Sequence, residues 1–432
     1  MPRRASRGRT TDRNRVRKSI YDPIHGTLTL EGAALDLVGD PSFQRLWGIR
    51  QTGLAHLVFP GANHTRLEHS LGVYAVARKM SDALDLEPAD AALVEVGGLL
   101  HDLGHAPLSH TLDGPMREVL GVSHEQRTRS SIPGLGDGGP RFPGAPASRV
   151  AEILERHGIP PVRVADLVDP PNPRAPSGLL RAMLHGPVDA DRIDYLQRDA
   201  YYTGVAHGAI DAVRLLATVQ AFGDRFVFAE KGRDAVEGFL VGRSLMYSAV
   251  YFHKTVRSAE VMAQAAVERY RGYPSAARPL FDGADGDLFA ALERSGGRSA
   301  ELLRALRMRR LFRRVGGRRR LGGPGGSELA RLERDPERRR AREDELSERA
   351  RAPPGSVLID LSGIARRGMD PMDWSEVGIL EGRRVRYPFR RSGFWQAVTV
   401  RPPSHWPVSV YADRRYEARA RALVRRDPIL GG

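Results

Sequence analysis

The sequence predicts a mostly α-helical protein that ends in a small α+β lobe. Three observations carry this. Apolar residues recur at helical spacing through Leu71, Val73, Val76, Ala77, Met80 and Leu84, and helical patterning returns across Ala91–His101 and from Asp234 to Tyr270. Strand-like runs are few: Thr27-Leu28-Thr29-Leu30 near one end, Val357-Leu358-Ile359-Asp360 and Val408-Ser409-Val410-Tyr411 near the other. A chain of 432 residues with 41% hydrophobic content suffices for one large helical domain and an appendage.

In chain order, residues 1–17 read as a disordered basic arm. Order is expected from Lys18, with a hairpin through Tyr21-Asp22-Pro23-Ile24-His25-Gly26. Helical pattern then runs from Gly32 to about Thr111, with Gly104 as a stop after the Ala91–His101 helix. Residues 127–148, rich in Ser, Gly and Pro, read as a flexible excursion. Helices resume at 148–154, 179–185 and 189–199, and the core closes at 276. Residues 277–354 read as an Arg-rich helical and flexible insertion: a helix carrying the Arg304–Arg320 cluster, a break at Gly322-Gly323-Pro324-Gly325-Gly326, then a charged helix from Ser327 to Arg351. Residues 355–432 form the α+β lobe, with a terminal amphipathic helix over 413–425.

The absence of cysteine excludes disulfides, thiolate metal sites and cysteine nucleophiles. No apolar run reaches the roughly 18 residues of a membrane span, and the basic N-terminus lacks an apolar stretch behind it. A cytoplasmic protein with no membrane partner is expected. The net charge of +15, carried mostly by Arg, favours nucleotide phosphates or nucleic acid; an Arg-rich codon bias gives the same balance without function.

His101-Asp102, directly after Gly97-Gly98-Leu99-Leu100, offers a nitrogen and a carboxylate oxygen at one backbone corner. With His69 upstream and Asp191 downstream it completes four candidate ligands on three helices. The spacing excludes a local finger loop and suits helices facing a common interior. Such N/O ligands leave Fe, Mn, Zn, Co, Ni and Mg all open for one divalent ion. His105, His110 and His124 cluster nearby as candidate acids or bases, and Asp113 can orient one of them. Arg66, Arg192, Arg243 and Lys254 are available for phosphates. Simpler readings compete: Arg192 as a salt-bridge partner of Asp191 and Asp194, Tyr195 as core packing, His64, His157, His185 and His405 as structural histidines, and Arg304–Arg320 as a solvated helix face.

These strings resemble the HD-domain phosphohydrolases of the deoxynucleoside triphosphate triphosphohydrolase (dGTPase-like) group. The matching stretches are Tyr21–Gly26, Phe43–Leu46, Val58–Ala62, His64–Gly72, His101–His105, Ser109-His110, His124–Gln126, Asp189–Tyr195, Arg198-Asp199 and Tyr251–Lys254. The resemblance covers residues 18–270, and more weakly 355–425. It implies a helical HD-domain core over 18–276, with His69, His101, Asp102 and Asp191 as metal ligands. It places His105 and His124 beside the scissile phosphate, with His110 and Asp113 completing the catalytic shell. It implies triphosphate contacts from Arg66, Arg192, Arg243 and Tyr195, and a sugar site of Gln51, Asp199 and Tyr251. Lys254 joins the substrate-binding set, and a homo-oligomer is the expected assembly. The implied reaction converts a dNTP to deoxynucleoside and inorganic triphosphate. Arg192 stands where a Lys is familiar. Thr52 replaces a Leu that abuts the sugar C2′ in a mammalian member, and Trp47 replaces an Arg of that member's activating nucleotide site. Two alternatives remain: an HD phosphohydrolase acting on another nucleotide or phosphate ester, and a nucleic-acid-binding protein using the Arg-rich segments.

Overall fold

Asp22 closes the first turn of the chain. Its Oδ1 accepts the backbone N–H groups of Ile24 (2.9 Å) and His25 (2.8 Å), a side-chain-capped turn. The turn folds β1 (Arg17–Asp22) antiparallel onto β2 (Gly26–Glu31), the expected hairpin. The computed structural model describes residues 16–135, 139–169, 178–319, 325–361, 376–390 and 406–431. The expected arm therefore lies outside the described residues up to position 15, as does most of the Gly322–Gly326 break.

The helices that carry the site form for legible reasons. α1 (Arg66–Ala83) opens with a reciprocal cap: Thr65 Oγ1 accepts the Glu68 N–H, and the Glu68 carboxylate accepts the Thr65 N–H at 2.6 Å. α2 (Pro88–Leu100) starts on Pro88 and ends at His101. α3 (Asp113–Leu120) stops at Gly121 with φ 73°. α4 (His124–Ser131) is capped by Ser123 and Gln126, so the first residues of the expected flexible excursion are helical. α5 (Ala190–Thr203) begins where Asp189 accepts the Arg192 N–H at 2.8 Å and ends at Gly204. α1 is buried on nearly every side, packed between α2 and α5. Leu67, Leu71, Leu99 and Leu100 join the hairpin's Leu28 and Leu30 in one core; Val73, Met80 and Ile193 join a second.

The structure departs from expectation in three places. The continuous helix expected over Asp234–Tyr270 is α6 (Arg233–Met246), a π-helical turn (Tyr247–Tyr251) and α7 (Lys254–Glu268). His253 caps α7 by accepting the Thr255 N–H. The Arg304–Arg320 cluster is not one helix face. A helix ends at Arg307, and Arg313–Arg318 is strand β5. Gly317 explains the change: its φ is 138°, and a Cβ there would sit 2.1 Å from the Val408 carbonyl oxygen. Arg307 pairs with Glu293 (2.6 Å), Arg309 donates to the Leu57 carbonyl (2.9 Å), and Arg314 and Arg319 lie over Trp406. The charged helix expected over Ser327–Arg351 is two helices, Gly326–Arg334 and Pro336–Arg349, because Pro336 cannot continue the first.

β6 (Val357–Asp360) and β9 (Val408–Ala412) are the two expected late strands, and β9 lies between β5 and β6 in an antiparallel sheet. A second sheet was not foreseen. It has the order β3-β4-β7-β8, with β3 (Val219–Phe222), β4 (Arg225–Ala229), β7 (Gly378–Glu381) and β8 (Arg384–Arg386), and β4 and β7 run parallel. The terminal helix spans Glu417–Arg426. Among the described residues no helix is long and apolar enough to cross a membrane.

Two glycines separate tight from open packing. A Cβ on Gly72 would lie 1.9 Å from Asp194 Oδ1, whereas one on Gly238 meets nothing within 4 Å. Gly72→Ala is expected to lower stability by about 1–3 kcal/mol through overpacking. Gly238→Ala, in the exposed interior of α6, is expected to raise it by up to about 1 kcal/mol. Denaturant unfolding of the two variants checks both signs.

Candidate active site

His101 caps α2, and its Nδ1 lies 2.8 Å from the Gly98 carbonyl. That bond turns Nε2 inward, where it is buried without a hydrogen-bond partner. His69, on the first turn of α1, gives its Nδ1 to Asp194 Oδ2 at 2.7 Å, and its Nε2 lies 3.0 Å from Asp191 Oδ1. His101 Nε2 is 3.8 Å from the same Asp191 oxygen. The ligand atoms of His69, His101 and Asp191 lie within 4.8 Å of one another. Asp102 borders this trio: Oδ1 is 3.2 Å from His101 Nε2, and Oδ2 is 3.8 Å from His69 Nε2. Side chains from three separate stretches of the sequence thus meet around one centre.

The donor set fits a divalent cation. Both imidazoles have one nitrogen engaged by an acceptor, which leaves the other facing the centre, as ligating histidines require. Burial opposes charge on His69, yet the Asp191 and Asp194 carboxylates outweigh it and lift its pKa to about 10. Asp102 is buried, but Arg66 beside it holds its carboxyl well below the usual range. The carboxylates thus favour positive charge at this centre, which a bound cation would supply.

A second cluster lies alongside. The His105 ring stacks on His124 at 3.9 Å, while Nε2 of His105 is 3.3 Å from Asp102 Oδ1. Asp113 links His110 (2.9 Å) and His124 (3.3 Å), and Glu125 lies 3.0 Å from the other nitrogen of His124. Joint ligation of one ion by His105 and His124 would need converging ring lone pairs, and stacked, near-parallel rings do not converge. Instead the two rings are pushed apart in pKa. Burial, then the Arg66 and His124 charges, drive His105 well down. Burial also opposes charge on His124, but Asp113 and Glu125 raise it to about 10.

Arg66 Nη1 binds Asp102 and its Nε binds Ser109 Oγ at 2.7 Å, while its buried Nη2 has no partner. Arg192 binds Asp189 rather than Asp191 or Asp194, and its Nε is buried without a partner. Arg243 donates to the Tyr195 hydroxyl at 2.9 Å. Tyr251 donates to Asp199 at 2.5 Å, and His64 meets the other Asp199 oxygen at 2.7 Å. Gln51 is buried with Oε1 unpartnered. Lys254 stands exposed at the first residue of α7.

Several residues around the site received no role from the sequence. Asp194 and Arg198 lie on α5 at helical spacing from Asp191, which is the signal that could have found them. Arg45 is fully buried and donates to the backbone carbonyls of Leu103 (2.8 Å), His105 (2.7 Å) and Gly283 (2.9 Å), gripping the His-Asp corner. His64, read as structural, is buried against Asp199 of the candidate sugar set. Glu125 was quoted only as part of a string.

The HD-domain sequence pattern matches residues 66–199, and the HD-associated region matches residues 210–426. The chain therefore belongs to the HD-domain family and carries the HD-associated region after its HD domain. An uncharacterized protein of Methanocaldococcus jannaschii is 40% identical over 254 residues, which are 58% of this chain and 49% of that protein. A deoxynucleoside triphosphate triphosphohydrolase SAMHD1 homolog of Dictyostelium discoideum is 29% identical over 261 residues, 57% of this chain and 48% of that protein. The chain spans about half the length of these curated relatives. A crystal structure of a hypothetical protein from Aquifex aeolicus shares the fold with a TM-score of 0.70 and 27% identity, covering 94% of this chain and 99% of that one.

The His124 environment gives a direct test. Asp113→Asn removes the more influential of the two charges that favour the imidazolium, so the proton is held less tightly. The His124 midpoint, followed by NMR titration, is expected to fall from about 10 toward the ordinary histidine range. An unchanged midpoint would refute the assigned cause.

Proposed function

We propose that this protein hydrolyses deoxynucleoside triphosphates to deoxynucleoside and inorganic triphosphate with one divalent metal ion. The convergence of His69, His101, Asp102 and Asp191 beside the partnerless Nη2 of Arg66 carries this reading. The named activity of the Dictyostelium relative supports the substrate class. The identity of the ion stays open among Fe, Mn, Zn, Co, Ni and Mg, as the donor chemistry admits each. When bound, the ion polarises a phosphoryl oxygen and lowers the pKa of water.

The chain's own residues do the rest. Arg66 donates to the phosphates from a fixed fork, because Asp102 and Ser109 already orient its guanidinium. Arg192, Arg243 and Tyr195 hold the triphosphate, and Lys254 adds charge at the mouth. Gln51, Asp199 and Tyr251 read the sugar, Asp199 being aligned by His64. Water attacks the α-phosphorus and the bond to the 5′-oxygen breaks. His124, kept charged by Asp113 and Glu125, steadies the phosphoryl oxygens and supplies the proton for that leaving oxygen. His105 stays neutral and packs against it, and His110 holds Asp113 from the other side.

One observation favours a second reading. The hydroxyl of Thr52 is buried without a partner, and the family resemblance puts it beside the sugar C2′. A hydroxyl there accommodates a ribose 2′-OH, so an HD phosphohydrolase that also takes ribonucleotides is the alternative.

Two measurements separate the readings. Purified protein with Mn²⁺, Mg²⁺ or Fe²⁺ is expected to release triphosphate and nucleoside from dNTPs, read by product mass. Pyrophosphate with a monophosphate, or turnover of ribonucleotides alone, would overturn the first reading. Asp191→Ala and His101→Ala are expected to lose both metal, by elemental analysis, and turnover, while circular dichroism keeps the helical signal. Full activity in metal-free Asp191→Ala would refute the ligand set.

A further inference from the structure

The β1–β2 hairpin reaches the candidate metal centre through buried polar contacts. His25, in its turn, brings Nε2 to 2.6 Å from Asp194 Oδ1, with side chains only 4% and 0% exposed. The other oxygen of Asp194 takes Nδ1 of His69. Arg198 donates to Asp194 through Nε (2.9 Å) and Nη2 (2.8 Å), and through Nη1 to Asp22 Oδ2 (2.8 Å). Asp22 in turn shapes the turn that presents His25.

Asp194 has no solvent to hydrate it, so its charge must be met by fixed donors. Among the described residues, His25 is the only donor to Asp194 that does not come from α1 or α5. Without it, Arg198 alone would orient the carboxylate, and Asp194 could swing away from His69. The plane and tautomer of His69 would then be loose, although its own contacts to the centre are intact.

We propose that the β1–β2 hairpin is a working part of the metal centre, with His25 a positioning residue that fixes His69 through Asp194 and thereby sets metal affinity. The proposal rests on the metal-centre reading above. By linkage, a ligand whose affinity depends on hairpin docking must also strengthen that docking.

The test uses the full chain and Mn²⁺ alone. Affinity is read by chelator competition for native protein, His25→Leu, His25→Gln, and Thr27→Ala as an exposed control on the same hairpin. His25→Leu is expected to weaken Mn²⁺ binding by roughly 10–100-fold, the usual cost of losing an outer partner of a ligand. His25→Gln, whose amide N–H can take the place of Nε2–H, is expected to restore most of it, and Thr27→Ala to change nothing. Hydrogen exchange in native protein should slow across residues 17–31 when Mn²⁺ is added. Native-like Mn²⁺ affinity in His25→Leu overturns the proposal while leaving the metal-centre reading intact. If His25→Leu fails to fold, the exchange arm decides: protection of the hairpin by Mn²⁺ sustains the proposal, and its absence overturns it. Native protein that binds no Mn²⁺, Fe²⁺, Zn²⁺, Co²⁺, Ni²⁺ or Mg²⁺ overturns the metal-centre reading itself.

Discussion

His69 is held at both ring nitrogens by carboxylates from one helix, and the rest of the site depends on that grip. Asp191 and Asp194 stand three residues apart on α5, so they share a face and close on the imidazole from two sides. One carboxylate fixes the ring; the other joins it at the centre. Burying Asp194 completely would be prohibitive without compensation, and removing a partner from such a buried pair typically costs about 3–5 kcal/mol. The ion-pair network reaching back to Asp22 is therefore a condition of the site rather than an ornament of it.

Close approach of backbones makes the grip possible. Gly72 lets α1 come near enough to α5 for Asp194 and Arg198 to fit between them. Gly104 does the same beyond the His-Asp corner, where a Cβ would lie 2.2 Å from the His124 carbonyl oxygen. Small residues thus bring α4, with His124, against the His-Asp corner. Arg45 secures the corner from behind. Burial drags its pKa down to about 9, still above neutrality, so it stays charged while bound to three carbonyls.

The candidate metal quartet was legible because its residues sit at punctuated places: a helix end for His101 and Asp102, a capped helix start for His69, a capped helix start again for Asp191. Caps and stops leave marks in a sequence. The outer ring leaves few. His25 and Asp22 lie in a turn whose residues suit any hairpin, and only long-range packing carries them to Asp194. The strands at 219–229 and 378–386 escaped notice for a related reason. Short strands such as Arg384–Arg386 are mostly polar, and what joins the two local hairpins into one sheet is the long-range pairing of β4 with β7, Val227 against Gly378. Arg313–Arg318 misled in the opposite sense, since its charges suggested a helix face while Gly316 and Gly317 marked a strand packed against β9.

The two ends of the candidate substrate site are built differently. At the phosphate end, Arg66, Asp102 and the histidines are locked by contacts among themselves, and spare donors such as Arg66 Nη2 point to a ligand. At the sugar end, Tyr251 comes from the π-helical turn between α6 and α7. An inserted residue rotates everything after it by about 100° relative to a regular helix. Arg243 and Tyr251 lie in one continuous helical run by periodicity, yet that inserted turn sets Tyr251 against Asp199 while Arg243 holds Tyr195. A straight helix would offer one of these alignments at the expense of the other. The irregular turn is thus the local feature that lets a single chain segment serve both the proposed phosphate contact and the proposed sugar contact.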